Sequence, residues 1–415
     1  MEDNKPTISR KAVQHGLERE DTGKLQTLWV ELPGRCNQFC PYCYANGGEK
    51  LDTENLLKWD DYEKLLEKAK EIGVDSIGIP GAGEPFFGQN KELTMQFLNK
   101  CAALDMYVTL FTTGEFIDEE LADELRELPV EVMLKCNSLN PWKQDEFVSN
   151  PARGLIKHGY GEKRNQAIDL LIRKGFNDPE ESQRRFGRES RMALVTSIMT
   201  SEDGKLSNVE DMAEIQRLCR KENIILDVDS VLKRGRGANC DLCIEEQELK
   251  KALLDLQRED RETYGVVYEI SQSYIGTTCD RYKHHMYVNQ YGEIRPCIGA
   301  MDVNLGNVKS GESALEQAWD SSEMQIIRDR GKRMGKCAEC GNYKEGLCNS
   351  CIGRRVKELT NETLLRDGAI DTIGCWNFRS TEKNTEAEAE VTPETELIQE
   401  QNNPCGECNK ECRFR

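Results

Sequence analysis

From Leu25 to about Asp229, short apolar runs alternate with longer amphipathic ones, and that alternation limits the fold more than any other feature. Strands are expected at Thr27–Leu32, Asp75–Ile79, Met106–Phe111, Glu131–Cys136, Met192–Ile198 and Ile224–Val228, where apolar and β-branched residues cluster. Helices are expected between them, for example at Trp59–Ile72, Leu93–Leu104, Glu119–Glu127, Glu162–Lys174 and Val209–Lys221. Repeated strand–helix alternation implies a parallel sheet with right-handed crossovers. The expected fold class is therefore α/β, a partial (β/α)6 TIM-like barrel whose chemistry gathers at the C-terminal ends of its strands. An open doubly wound sheet has the same pattern and stands as the alternative.

Beyond the barrel, Glu245–Thr263 reads as a charged helix and Val266–Ile270 as a short strand. Cys279 to Phe378 is rich in cysteine and glycine and poor in long periodic runs, so metal centres are expected to hold it together. Thr381–Pro404 carries seven glutamates, one lysine and no aromatic residue, the composition of a linker. The chain divides on this reading into an N-terminal lead (1–24), a barrel (25–235), a connecting helix and strand (236–274), a cysteine-rich C-terminal domain (275–380), an acidic linker (381–404) and a cysteine-containing tail (405–415).

Lys and Arg number 56 against 74 Asp and Glu, a net charge of −18. Such a surface repels phosphate backbones and anionic lipid, so no nucleic acid partner is expected. No apolar stretch approaches the roughly 18 residues of a membrane span, and Met1–Lys11 lacks the apolar core of a signal peptide. The expectation is a cytoplasmic protein with no membrane partner. In that compartment its 18 cysteines call for metal or redox chemistry before disulfides. Ten of them lie between Cys279 and Cys412.

Cys36, Cys40 and Cys43 follow the first strand directly, in the run Arg35-Cys36-Asn37-Gln38-Phe39-Cys40-Pro41-Tyr42-Cys43. A cubane iron–sulfur cluster has four irons, and an electron carrier usually holds each with a cysteine. Three thiolates leave one iron free for chemistry. A zinc knuckle borrowing a fourth ligand is the bland alternative.

Polar and glycine residues gather where a barrel keeps its site. Pro80-Gly81-Ala82-Gly83-Glu84-Pro85 follows the second strand, Thr112-Thr113-Gly114 ends the third, and Lys135-Cys136-Asn137-Ser138 ends the fourth. Lys233-Arg234-Gly235-Arg236-Gly237, beyond the sixth, reads equally well as a solvated loop. Taken with the cysteine loop, these runs resemble the radical S-adenosylmethionine (SAM) superfamily. Gly81-Ala82-Gly83-Glu84-Pro85 is similar to that family's GGEP motif, departing from it at Ala82. The resemblance covers roughly residues 25–230. It implies that Cys36, Cys40 and Cys43 hold a [4Fe-4S] cluster whose open iron is chelated by SAM, with aromatic Tyr42 beside it. It also implies that Gly81, Gly83 and Glu84 line the amine of SAM, and that Ser138 and Ser197 reach its ribose or carboxylate; ordinary strand-end hydroxyls are the alternative for the two serines.

Met286–Cys297 reads as a hairpin turning at Gly292, and Cys337-x2-Cys340-x7-Cys348-x2-Cys351 and Cys375 follow. Spacing alone allows a zinc ribbon. The whole pattern is similar to the SPASM extension of radical SAM enzymes, which carries auxiliary iron–sulfur clusters. That resemblance assigns Cys337, Cys340, Cys348 and Cys375 to one cluster and Cys279, Cys297 and Cys351 to another, whose fourth position is open or borrowed from Cys240 or Cys243. Cys405, Cys408 and Cys412 fall outside the family pattern.

By resemblance, an electron from a flavodoxin- or ferredoxin-type donor cleaves SAM, and the resulting 5′-deoxyadenosyl radical abstracts hydrogen from a substrate, with the auxiliary clusters assisting oxidation. Cys136, at the end of the fourth strand, is a candidate catalytic hydrogen donor, weighed against simple packing. The leading expectation is a small-molecule substrate, because only about two dozen residues precede the first strand. A maturase of a ribosomally made peptide or protein is the second reading. A non-catalytic electron carrier or zinc scaffold is the third.

Overall fold

The computed structural model describes residues 21–232, 234–242, 244–265, 281–329, 339–344 and 360–367. Six strands run β1 (Thr27–Val30), β2 (Ser76–Ile79), β3 (Tyr107–Thr112), β4 (Val130–Lys135), β5 (Met192–Ile198) and β6 (Ile225–Ser230), neighbours in that order and all parallel. Sequential order is what a barrel requires; a doubly wound sheet reverses its order part-way across. The open-sheet alternative is thereby excluded, and the fold is a partial TIM-like barrel.

Between the strands lie α1 (Trp59–Glu71), α2 (Asn90–Ala103), α3 (Glu119–Glu127), α4 (Pro141–Phe147), α5 (Tyr160–Arg173), α6 (Pro179–Phe186) and α7 (Met212–Lys221). Short polar residues start several of them. Asp118 accepts a hydrogen bond from Leu121 N at 2.9 Å to open α3, and Asp178 caps α6 just before Pro179. α6 stops at Gly187, whose φ of +63° suits glycine.

The two faces of the sheet differ. Leu28, Val30, Ile77, Val108, Val132, Leu134, Leu194 and Leu226 face outward and share one core with Leu66, Phe97, Leu121, Leu171 and Ile215 of the helices. The inner face carries a small apolar cluster, Met133, Ala193, Val195 and Ile225 with Phe111. Around it on the same face stand polar residues: Thr109, Glu131, Lys135, Ser197, Asp227 and Asp229. The Trp29 ring fills space left by Gly78, where a Cβ would meet the ring at 2.2 Å. At the other end Arg191 donates to Leu128 O at 3.0 Å and lies over the rings of Phe176 and Phe186, closing the barrel floor.

β7 (His285–Val288), β8 (Glu293–Arg295) and β9 (Gly306–Asn307) extend the same sheet, β7 pairing in parallel with β1 and placing His285 opposite Thr27. The expected hairpin is present, turning at Gly292 with φ +84°. Its attachment to the barrel sheet was not legible in the sequence. α8 (Glu246–Glu259) packs against α7, where Arg220 forms a buried two-point ion pair with Asp260 at 2.7 and 2.8 Å. α9 (Ala314–Trp319) and α10 (Ser322–Arg328) follow the hairpin. Among the described residues no helix is long and apolar enough to cross a membrane. The expected strand Val266–Ile270, Cys243, Cys279, Cys337, Cys348, Cys351, Cys375, the acidic linker and the tail cysteines lie outside the described residues.

Candidate active site at the barrel mouth

Cys36, Cys40 and Cys43 are half-buried in the loop that leaves β1. Gln38 N lies 3.4 Å from Cys36 Sγ and Gly47 N lies 3.2 Å from Cys43 Sγ, so backbone N–H groups already point at two sulfurs. Gly47 has no room for a side chain: a Cβ there would come 2.8 Å from Ala82 O and 3.4 Å from Cys36 Cβ. Burial pushes the Cys36 thiol up, and the neighbouring Cys40 adds to it. Cys40 is pushed up to about 12, by burial first and by Cys43 second, against hydrogen bonding from Tyr42 and the charge of Arg236. Thiolates crowded in this way form readily only against positive charge.

Three side chains clamp the loop from different elements. Asn90, at the start of α2, donates from Nδ2 to Pro33 O, Arg35 O and Glu84 O at 3.0, 3.1 and 2.9 Å. Glu115, after β3, accepts from Asn37 and Gln38 at 2.8 Å each and from Lys157 at 3.0 Å. Arg236 donates to Cys40 O at 3.0 Å and Gly47 O at 2.9 Å. Gly235 beside it has φ +52°, and a Cβ there would lie 2.2 Å from Tyr44 O. The Arg234–Gly237 run is therefore a second wall of the cysteine loop. Sequence reasoning passed over Asn90 and Glu115 and left Arg236 between a barrel-mouth run and a solvated loop; the Gly-Arg-Gly pattern was the one available signal.

In the second motif, Gly83 lies against the cysteine loop, where a Cβ would meet Arg35 O at 2.3 Å. Glu84 is buried, and its carboxylate accepts from Thr112 Oγ1 at 2.6 Å, Thr113 N at 2.7 Å and Phe86 N at 3.3 Å. Its carboxyl is still raised above the usual range, because burial outweighs those hydrogen bonds. The side chain expected to meet an incoming amine also ties the turn after β2 to the end of β3. Gly81, at φ +76°, provides the turn before it.

At the end of β4, Asn137 Nδ2 donates to the Tyr42 hydroxyl at 2.7 Å, and Ser197 N donates to Asn137 Oδ1 at 3.1 Å. The Ser138 hydroxyl donates to Asp211, which Lys143 also holds. Ser138 is therefore engaged by protein, while the Ser197 hydroxyl has no protein partner among the described residues. Buried Arg164 secures the turn, donating to Ser138 O at 2.5 Å and to Gln144 at 3.2 Å.

Cys136 corrects one expectation. Side chains alternate along a strand, and Cys136 falls on the same face as Val132 and Leu134, within the core under the helices and fully buried. Met133 and Lys135 take the inner face. Burial also raises the Cys136 thiol. It is a packing residue, turned away from the lumen. Cys240, one of two proposed borrowed ligands, is buried with Phe147, Met199 and Leu242 against Tyr42, beside the first cysteine loop. Of the residues assigned to auxiliary clusters, Cys297 and Cys340 lie among those described, and both are half-buried.

Residues 30–183 match the radical SAM superfamily. The chain belongs to that family. Residues 279–341 match the SPASM iron-sulfur cluster-binding domain, so this radical SAM protein carries the auxiliary-cluster extension as well. A probable GTP 3′,8-cyclase of Methanothermobacter marburgensis is 23% identical over 324 residues, covering 74% of this chain and 92% of that protein. SuiB of Streptococcus suis bound to S-adenosylmethionine superposes with a TM-score of 0.61 at 16% identity, over 85% of this chain and 78% of that one. SuiB bound to its precursor peptide SuiA superposes with a TM-score of 0.58 at 16% identity, over 81% and 74%.

As a radical SAM enzyme with a SPASM domain, the protein uses SAM, a [4Fe-4S] cluster and auxiliary iron–sulfur clusters. The residues at the barrel mouth fit the first two. Among the described residues no three His, Cys, Asp or Glu side chains converge closely enough for one ion, and a cubane asks for a different arrangement, one thiolate at each of three corners. Three neighbouring thiols, N–H groups aimed at sulfur and two glycines held against the same loop supply that donor set.

Proposed function

We propose that this radical SAM enzyme acts on a small polar molecule held in the barrel lumen, with Cys36, Cys40 and Cys43 holding the cluster. When bound, the cluster and SAM supply one-electron reductive cleavage of a carbon–sulfur bond and the hydrogen abstraction that follows. The protein's part is placement and exclusion of water. Asn90, Glu115 and Arg236 hold the cysteine loop still; Glu84 fixes β2 against β3; Asn137 fixes Tyr42. The ten cysteines from Cys279 onward favour a net oxidation, since a second redox centre gives the substrate's electron a destination.

One observation carries the small-molecule reading. Lys135, Ser197, Asp227 and Asp229 stand on the upper inner face, around an apolar patch of only a few residues. A lumen wall lined by charged and hydroxyl side chains matches a small charged substrate better than an apolar one. A second reading, peptide maturation, draws on two exposed apolar residues of the β4–α5 connection, Trp142 (69% exposed) and Ile156 (49%), and on the likeness to SuiB with its precursor peptide.

The test is anaerobic reconstitution with iron and sulfide, then SAM and dithionite, with 5′-deoxyadenosine followed by mass spectrometry. GTP, other small anionic and zwitterionic metabolites, and synthetic peptides are each added in turn. Stimulation by a small molecule, with transfer of its deuterium into 5′-deoxyadenosine, is expected. Stimulation by peptides alone would replace the first reading with the second. No 5′-deoxyadenosine from cluster-loaded protein under any condition would reject both.

A further inference from the structure

We propose that Arg234 is a positioning residue which, with Arg236, makes the chain after β6 a two-ended brace between the cysteine loop and the turn that begins at Cys297. The proposal rests on Cys36, Cys40 and Cys43 holding the cluster, and goes beyond that reading by making retention of the cluster depend on the C-terminal domain.

The two arginines reach in opposite directions. Arg236 donates to Cys40 O at 3.0 Å, Gly47 O at 2.9 Å and Glu49 at 3.1 Å, all in the cysteine loop or just beyond it. Arg234 donates to Gly299 O at 3.2 Å and pairs with Asp302 at 2.5 Å. Gly299 and Asp302 belong to two successive turns that start at Cys297, where Ala300 N donates to Cys297 O at 3.0 Å and Val303 N to Ala300 O at 3.3 Å. Ala300 and Val303 are buried, which anchors those turns in the core. Two residues of chain span at most about 7 Å, so one short step of backbone and two side chains separate the two cysteine regions.

The segment between them has no slack. Gly235–Asn239 is a tight helical turn, and Gly237 N donates to Cys43 O at 3.3 Å. A Cβ on Gly235 would lie 2.2 Å from Tyr44 O and 2.8 Å from Cys43 O, and one on Gly237 would lie 2.5 Å from Leu232 O. Backbone packed this closely transmits a displacement rather than absorbing it. A shift of the Cys297 turn is therefore carried to Cys40 and Cys43. The cysteine loop is firm only when that turn is in place, which ties radical chemistry at the mouth to an assembled C-terminal domain.

The experiment is a chelator challenge of full-length protein reconstituted with iron and sulfide. The EPR signal that shifts on addition of SAM is followed, because only the cluster with an open iron binds SAM. Arg234→Ala is expected to lose that signal about fivefold faster than wild type. An ion pair serving the fold alone would leave the rate unchanged, since half-exposed pairs contribute little. Arg234→Lys, which keeps the contact with Asp302, is expected to recover part of the loss. Asp302→Ala should lose the signal faster than wild type, and Arg234→Ala combined with Asp302→Ala no faster than Arg234→Ala alone, because both remove one contact. Asp302→Ala carries the test if Arg234→Ala does not fold. Loss at the wild-type rate in both single variants, or additive effects in the double variant, would overturn the brace. Wild-type protein with no SAM-shifted signal would instead sink the reading of the three cysteines as cluster ligands, and the brace with it.

Discussion

Asn137 reaches from the end of β4 to the Tyr42 hydroxyl, 2.7 Å away, and so joins the fourth strand to the middle of the cysteine loop. Its Oδ1 accepts from Ser197 N and its backbone N donates to Gln144, so the contact is held from three sides. Asn137→Ala would strand the Ser197 N–H in a buried site. We expect a loss of about 1–3 kcal/mol in folding stability and a several-fold faster loss of iron from the loaded protein, read by urea unfolding and by chelator-challenge kinetics.

Gly83 is predicted to tolerate nothing larger. A Cβ would sit 2.3 Å from Arg35 O and 2.6 Å from Gly34 C, both of them backbone atoms. Gly83→Ala should displace the cysteine loop and abolish cluster loading, whereas Gly88→Ala, with open space around it but φ +56°, should load normally at a small cost in stability. Iron per chain after reconstitution separates the two.

Glu84 faces donors on both of its oxygens. A glutamine must point its NH2 at one of them, trading an acceptor for a clash of donors. Glu84→Gln is expected to cost about 2–3 kcal/mol in a urea titration and to impair loading, while Glu84→Asp keeps the charge and loses the reach. Equal stability of Glu84→Gln and wild type would contradict the bridging role assigned here.

Cys136, Cys101 and Cys219 are fully buried, and burial raises all three thiols. Native protein should therefore leave them unlabelled by a thiol reagent that modifies them promptly in urea. Cys136→Ala should leave 5′-deoxyadenosine formation within about twofold of wild type. A severe loss in that variant, with iron content intact, would restore the hydrogen-donor role.

Glu31, at the end of β1, is enclosed by Tyr287, Tyr44 and Gln290 N, and burial lifts its carboxyl from the usual 4.5 to about 7. Between those values the folded chain keeps a proton that the unfolded chain has lost. The stabilisation is complete below pH 4.5, fades as pH rises, and is gone above about 7, a difference on the order of 3 kcal/mol. Glu31→Gln should flatten that slope, gaining on wild type at pH 8 relative to pH 5 when unfolding midpoints are compared.

Much of this protein is legible in its sequence alone. Short apolar runs mark all six barrel strands to within a residue or two, because the outward face of each must be apolar to cover the helices. Helices α4 and α6 escape such a reading: at seven and eight residues they are too short to show a period. The cysteine loop is readable for a different reason, since its spacing is local and its chemistry follows from three thiols in a row.

What sequence could not supply was which face, and which partner. Cys136 and Lys135 are adjacent in the chain, and only the register of β4 against β5 decides that one is packing and the other lines the lumen. Glu84 reads as a free carboxylate until β3 comes alongside with Thr112 and Thr113; Arg236 reads as solvated until the chain beyond β6 returns it to Cys40, 196 residues earlier. Local periodicity is set by the need to bury one side of each element. Pairings across tens or hundreds of residues exist only once the sheet has closed around its mouth.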